Sequence, residues 1–155
     1  TLSLVLGADA ALFVGTRLRF GLLGAFSFGG SVPIVDDAGR QRGTLSAQTV
    51  HVLPHAMACL KLPFVACGGV RAGVRLAIGT SSGDYIFQTR VGFSPGFSAG
   101  PALHLAIGLG AFTIALDPTL VFNSPTVLGV DGLPTTIATP TAEFLLQLGV
   151  GAAQR

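Results

Sequence analysis

Arg17-Leu-Arg-Phe-Gly-Leu-Leu-Gly-Ala-Phe-Ser-Phe-Gly29 is the stretch on which the fold turns. One set of alternate positions reads Leu18, Phe20, Leu22, Gly24, Phe26, Phe28. The other reads Arg17, Arg19, Gly21, Leu23, Ala25, Ser27, Gly29. Successive side chains of a β-strand point to opposite faces, so this strand has one apolar face and one small or cationic face. A water-soluble sheet would turn the second face to solvent. Gly, Ala and Ser are too small to coat a surface, yet they suit a narrow interior. The alternation therefore reads inside out, with apolar residues toward lipid and small or polar residues toward a tight lumen, as in a membrane β-barrel.

Composition agrees. Half of the 155 residues are apolar and only 10% are charged, against about 25% charged in ordinary soluble domains. No run approaches the ~18–20 apolar residues of a membrane-spanning helix. The longest candidate, residues 105–116, is broken by Gly108 and Gly110. Hydrocarbon admits only helices or closed barrels, because every backbone polar group must be paired within the protein. Strands of ~9–11 residues are enough to cross. The 22 glycines lie inside the alternating runs, where a helix would tolerate them poorly. The length is that of a single domain. A net charge of +2, a single lysine (Lys61) and arginines spaced along strands form no nucleic-acid patch. With no initiator Met and no signal-peptide pattern, the chain reads as a mature exported form or an excised piece.

Seven strands are legible, at residues 2–14, 17–29, 44–60, 65–79, 85–98, 103–116 and 141–152. Tight turns are expected at 15–16, 62–64 and 99–102, and longer links at 30–43, 80–84 and 117–140. The strand at 44–60 is the least regular: it changes apparent register near Thr49, which suggests a bulge, and Pro54 weakens it. Residues 119–123 are an alternative further strand. Short turns mark the periplasmic side of outer-membrane barrels and longer loops the outer side. The expected fold is thus an all-β, antiparallel up-and-down transmembrane β-barrel. Seven strands are visible and eight are expected in the native protein, since bacterial single-chain barrels have even counts. Residues 2–14 and 141–152 should lie at neighbouring edges, either separated by one missing strand or paired directly.

Cys59-Leu-Lys-Leu-Pro-Phe-Val-Ala-Cys67, followed by Gly-Gly-Val-Arg-Ala-Gly, is a short cysteine-flanked hairpin leading into a Gly/Arg-rich strand. With the alternation, it resembles the small outer-membrane β-barrel proteins of Gram-negative bacteria, in particular uncharacterised barrels of myxobacterial type. The resemblance implies an outer-membrane location and membrane lipid as the surroundings. With no Trp and one Tyr, Phe would have to form the interfacial girdles.

Cys59 and Cys67 are symmetric about Pro63, so in a hairpin turning there they face each other. That suits a disulfide in an oxidising compartment, the alternative being two unrelated buried thiols. The lumen-facing polar candidates are Asp9, Arg17, Arg19, Arg71, Arg75, Gln88, Arg90, His104, Glu143 and Gln147. An Arg turned to lipid at the midplane would cost ~2–4 kcal/mol, which favours the inward placement. Arginine outnumbers acid in this set. It reads as a polar filling of a barrel too narrow for a pore, or as a cationic, anion-selective lumen. His51 and His55 share a face, and Ser46, His51 and Glu143 can be assembled on paper into a hydrolytic set. The glycine pairs lack the strand–loop–helix context of a phosphate loop.

The function that follows is non-enzymatic, a structural or surface-interaction protein of the outer membrane, with no cofactor, no metal and no nucleic-acid partner. A small anion-permeable channel, a lipid-modifying outer-membrane enzyme and a soluble or designed β-barrel are the alternatives.

Overall fold

The computed structural model describes residues 5–35, 38–83, 90–129 and 136–152. Alternation this regular builds strands, and the described residues form nine: β1 (Val5–Val14), β2 (Leu18–Val35), β3 (Gln41–Lys61), β4 (Val65–Gly83), β5 (Arg90–Leu109), β6 (Phe112–Asn123), β7 (Val127–Gly129), β8 (Thr136–Ala138) and β9 (Ala142–Ala152). No helix occurs among the described residues. Seven strands make one antiparallel sheet in the order β1-β2-β3-β4-β5-β6-β9, curled into a half-barrel. β7 and β8 form a separate two-stranded hairpin. The short connections, at 15–17, 62–64 and 110–111, share one end of the sheet, and the long ones share the other. β1 and β9 are the edges. Their Cα atoms approach within 8 Å, but no ladder joins them among the described residues.

The sheet has the seven strands read from the sequence, but several boundaries differ: β2 and β4 run on to Val35 and Gly83, into stretches expected as links, and β5 and β6 are displaced along the chain. β5 runs unbroken through 99–102, where a turn was expected, and the chain reverses instead at Gly110. Gly110 adopts φ +67°, a left-handed conformation that favours glycine, and Leu109 pairs with Phe112 across the two-residue loop. Residues 119–123 are extended but add no further strand to the sheet, because they continue β6. Pro101 pairs with Val70 on the β4 side, while the β5–β6 ladder skips it. A proline lacking its N–H is accommodated where the ladder is already broken.

Near Thr49 the expected bulge is absent from β3, whose odd positions from Leu45 to Cys59 all point inward. The extra residue lies on β2, between Phe28 and Ser31, opposite Ala47. What changes along β3 is chemistry. Its outward residues are Thr44, Ser46 and Gln48 above this level, and Val50, Val52, Pro54, Ala56, Ala58 and Leu60 below it. From Val50 to Leu60 a strand covers about 33 Å. At a ~45° tilt that is about 23 Å of height, close to the ~25 Å apolar band of outer-membrane barrels.

The disulfide is present. Cys59 and Cys67 are directly paired positions of β3 and β4, their sulfurs are bonded, and both are buried with Met57 and Ala102. Replacing both by alanine is expected to cost about 2–3 kcal/mol of stability by loop-closure entropy. Denaturant midpoints of the wild type and the double variant check this, and identical midpoints would show that the bond constrains nothing.

Candidate functional site

Inward-pointing residues stack in tiers, and β3 shows the order. Leu45 and Ala47 come first, then His51, Leu53, His55, and finally Met57 and Cys59. The top tier is apolar. Leu128 of β7 and Ile137 of β8 pack on Ile34, Leu45, Ala47 and Ala77, so the hairpin stoppers the long-connection end. Arg75, just below, ties this connection down. It donates to the Ser124 carbonyl at 2.7 Å, to Thr126 Oγ1, and to the Pro140 carbonyl at 3.5 Å.

His51, Ser98, Asn123 and Glu143 form the upper polar tier. His51 Nε2 lies 3.0 Å from Glu143 Oε2, and Ser98 Oγ lies 3.4 Å from His51 Nδ1. A serine, a histidine and an acid in contact invite comparison with a nucleophile–base–acid relay. The proton count argues against it. Ser98 has one hydroxyl proton, and the short bond, 2.6 Å, goes to Asn123 Oδ1. All four side chains are buried, and none lines the cavity at the short-turn end.

Below an apolar layer of Leu23, Ala25, Leu53, Val121 and Leu145 comes the lower polar tier, centred on Asp9. Asp9 Oδ2 accepts from Arg19 at 2.9 Å and from Arg71 at 3.1 Å. Arg71, fully buried, also donates to Thr119 Oγ1 at 2.6 Å and sits 3.5 Å from Asp117 Oδ1. His104 Nδ1 is 2.8 Å from the same oxygen. Arg19 Nη1 lies 3.0 Å from His55 Nε2. Arginine can only donate, so His55 Nε2 accepts and the ring proton sits on Nδ1, 3.8 Å from Asp9 Oδ1. Gly21 makes room for that ring: a methyl group there would lie 2.7 Å from it. At the short-turn end, beneath this tier, a cavity of about 530 Å³ occupies the concave interior, lined by residues of β1, β5, β6 and β9, with Lys61 and Val65 at its margin.

The residues singled out in the sequence are therefore distributed unevenly. Asp9, Arg19, Arg71 and His104 belong to one network, while Glu143 and Arg75 belong to the upper tier and its cap. Gln147 is half-buried beside the cavity. Arg17 corrects the expectation: it is exposed, because Gly15 at φ +64° opens a three-residue turn and β2 starts only at Leu18. Gln88 lies outside the described residues, and Arg90 is described by its backbone alone. Ser46 has the opposite parity to His51 and points outward, so Ser98 stands beside that histidine instead. His51 and His55 have separate partners, with Leu53 between them. Sequence reading missed Asp117, Thr119 and Asn123, because Asp117-Pro118 looks like the start of a loop. The signal available was inward parity across a continuous β6.

Asp117 changes the electrostatics. Asp9, Asp117 and Glu143 now stand against Arg19, Arg71 and Arg75, so the described interior is balanced rather than cationic. Comparison with known proteins found no matching family model, no matching curated protein and no matching solved structure.

Proposed function

We propose that this chain is a non-enzymatic β-barrel protein of a Gram-negative outer membrane, with a structural or surface-interaction role carried by its long connections. One observation carries the reading: the sheet is inverted relative to a soluble one. Phe97, Val74 and Leu146 stand on the convex face with 73%, 54% and 47% of their surface exposed, while Arg71, Arg75 and His51 inside are at most 1% exposed. An apolar belt this extensive marks a membrane or partner surface, and its height fits a bilayer. Charge balance and two buried apolar tiers argue against an anion channel. The test is refolding into phospholipid vesicles, followed by flotation and planar-bilayer recording. The chain should float with the lipid, retain β-structure and pass no discrete currents. A chain that stays in buffer without detergent contradicts the membrane reading, and stepwise conductance contradicts the filled interior.

The lipid-modifying alternative has one observation in its favour, the Ser98–His51–Glu143 contact. Changing Ser98→Ala is expected to leave phospholipid in the vesicles as intact as wild type leaves it. It should lower stability by about 1 kcal/mol through the lost bond to Asn123. Thin-layer or mass analysis of the lipid decides this: hydrolysis by wild type that vanishes in the variant would make Ser98 a nucleophile.

A further inference from the structure

Two successive rows of inward residues shape the concave interior at the short-turn end. His104 of β5, Asp117 of β6 and Gln147 of β9 stand side by side in the upper row. Beneath them Lys61, Val65, Ala106, Ala115 and Gly149 are directly paired positions from β3 to β9. Ala106, Ala115 and Gly149 carry at most a methyl group, so this row leaves space where a packed tier would otherwise lie. That space is the cavity of about 530 Å³, within the ~300–1,000 Å³ of small-molecule sites. The fold does not use up the polar groups around it. His104 Nδ1 lies 2.8 Å from Asp117 Oδ1; a carboxylate only accepts, so Nδ1 carries a proton. The other ring nitrogen has no hydrogen-bond partner among the described residues, although only 9% of the side chain is exposed. Gln147 Oε1 is buried and also unpartnered. Lys61, with the inward parity of β3, lines the cavity and forms no ion pair with any described residue. The acids that reach the cavity, Asp9 and Asp117, are both engaged by Arg19, Arg71 and His104. Lys61, His104 and Asp117 stand on β3, β5 and β6, inside the sheet, so they hold their places however the edges β1 and β9 are completed.

We propose that this cavity binds a monocarboxylic acid with a short apolar body, its carboxyl group held by His104 and Lys61. The unused groups define the head. His104 Nε2 accepts the acid's O–H or takes its proton, leaving a carboxylate against an imidazolium, so total charge is the same in either form. Lys61 supplies the one cation of the cavity that no described acid answers, and it attracts the carboxyl oxygens. A neutral alcohol would leave that charge unmatched. An amine would set a second cation beside it, and a phosphate dianion brings two charges to meet one. The walls define the tail. Phe13, Val65, Ala106 and Ala115 offer hydrocarbon with no further charged group, as in sites where a few polar groups orient an otherwise apolar ligand. Arg17 lies in the adjoining turn, whose carbonyl accepts from the Cys59 N–H at 2.7 Å. It adds a second exposed cation at this end, which draws anions to the mouth. The inference goes beyond the structural role proposed above and does not rest on the membrane location.

The probe is carbon-14-labelled octanoate, measured by equilibrium dialysis against phosphatidylcholine nanodiscs that carry the full chain and against empty discs of equal lipid content. Expected is saturable one-to-one uptake above that of the empty discs. Unlabelled octanoate should displace the label at least tenfold better than octan-1-ol, octylamine or octyl phosphate. Lys61→Met, at an exposed position that leaves the fold undisturbed, should weaken binding at least fivefold at an unchanged unfolding midpoint. His104→Phe, which keeps a ring and removes its nitrogens, should weaken it at least tenfold, and Ala115→Phe, which fills the small row, should abolish it. Uptake no greater than that of empty discs overturns the proposal. Octan-1-ol competing as well as octanoate overturns it in favour of a merely apolar space, and octyl phosphate competing better does so in favour of a lipid phosphate. Wild-type affinity in Lys61→Met also contradicts it. Should the chain remain in buffer without detergent, the membrane reading fails, and the same dialysis run in buffer still decides the site.

Discussion

Asp9→Ala should be the most damaging single substitution in the interior, lowering stability by about 3–5 kcal/mol, the usual cost of stripping one partner from a buried ion pair. Asp9 is the shared anion of Arg19 and Arg71, at 2.9 and 3.1 Å. Without it, two inward guanidinium groups face Asp117 alone. Asp9→Asn should cost less, since a hydrogen-bond acceptor remains. The double change Asp9→Leu with Arg19→Met should recover part of the loss, because Arg19 no longer stands without its anion and only Arg71, still 3.5 Å from Asp117, keeps its charge. Equilibrium denaturation of the four proteins in one detergent or lipid gives the comparison. If Asp9→Ala unfolds at the wild-type midpoint, the lower tier holds nothing together.

Val74→Arg carries the second large effect, and its sign depends on what surrounds the convex face. Val74 is on the outward face of β4, within the apolar belt. In vesicles an arginine near the midplane of a barrel's lipid face costs ~2–4 kcal/mol, falling to ~0–1 near the interface. Ser82→Arg, on the same face of β4 but above the belt, should therefore be nearly silent. The contrast between the two positions is the informative quantity. In a soluble sheet both would be exposed, both changes would be close to neutral, and Val74→Arg would improve solubility.

Much of this architecture was legible in the sequence because alternation is local. Leu18 to Phe28 and Val70 to Ile78 name their outward faces without reference to any partner, and Cys59 and Cys67 disclose their pairing by symmetry about Pro63. Proline and glycine misled where tertiary pairing overrode local preference. Gly100-Pro101 resembles a turn but sits inside β5, on a stretch where the ladder to β6 is interrupted. The true reversal, Gly110-Ala111, lies within a continuous apolar run. Pro118 hid β6, and with it Asp117, so the interior looked cationic when it is balanced. The contacts His51–Glu143 and Asp9–Arg71 join residues 92 and 62 positions apart, and no periodicity reports such distances. The apparent irregularity at Thr49 was a change in the chemistry of the outward residues rather than of register.

The claim most in need of a direct test is that the convex face meets lipid and that the concave face, above the cavity at the short-turn end, is sealed. Small-to-small substitutions allow this without disturbing either face. Ala72→Cys and Ala99→Cys lie outward at paired positions of β4 and β5, while Ala25→Cys and Ala77→Cys lie buried inside. Both native cysteines are already bonded to each other and stay silent. Each variant, refolded into phospholipid vesicles, is treated with a lipid-soluble maleimide and with a charged, membrane-impermeant one. The account predicts that residues 72 and 99 react with the first and not the second, and that residues 25 and 77 react with neither until the protein is denatured. Equal labelling of residues 72 and 99 by the charged reagent, or ready labelling of residues 25 and 77 in the folded protein, would contradict it.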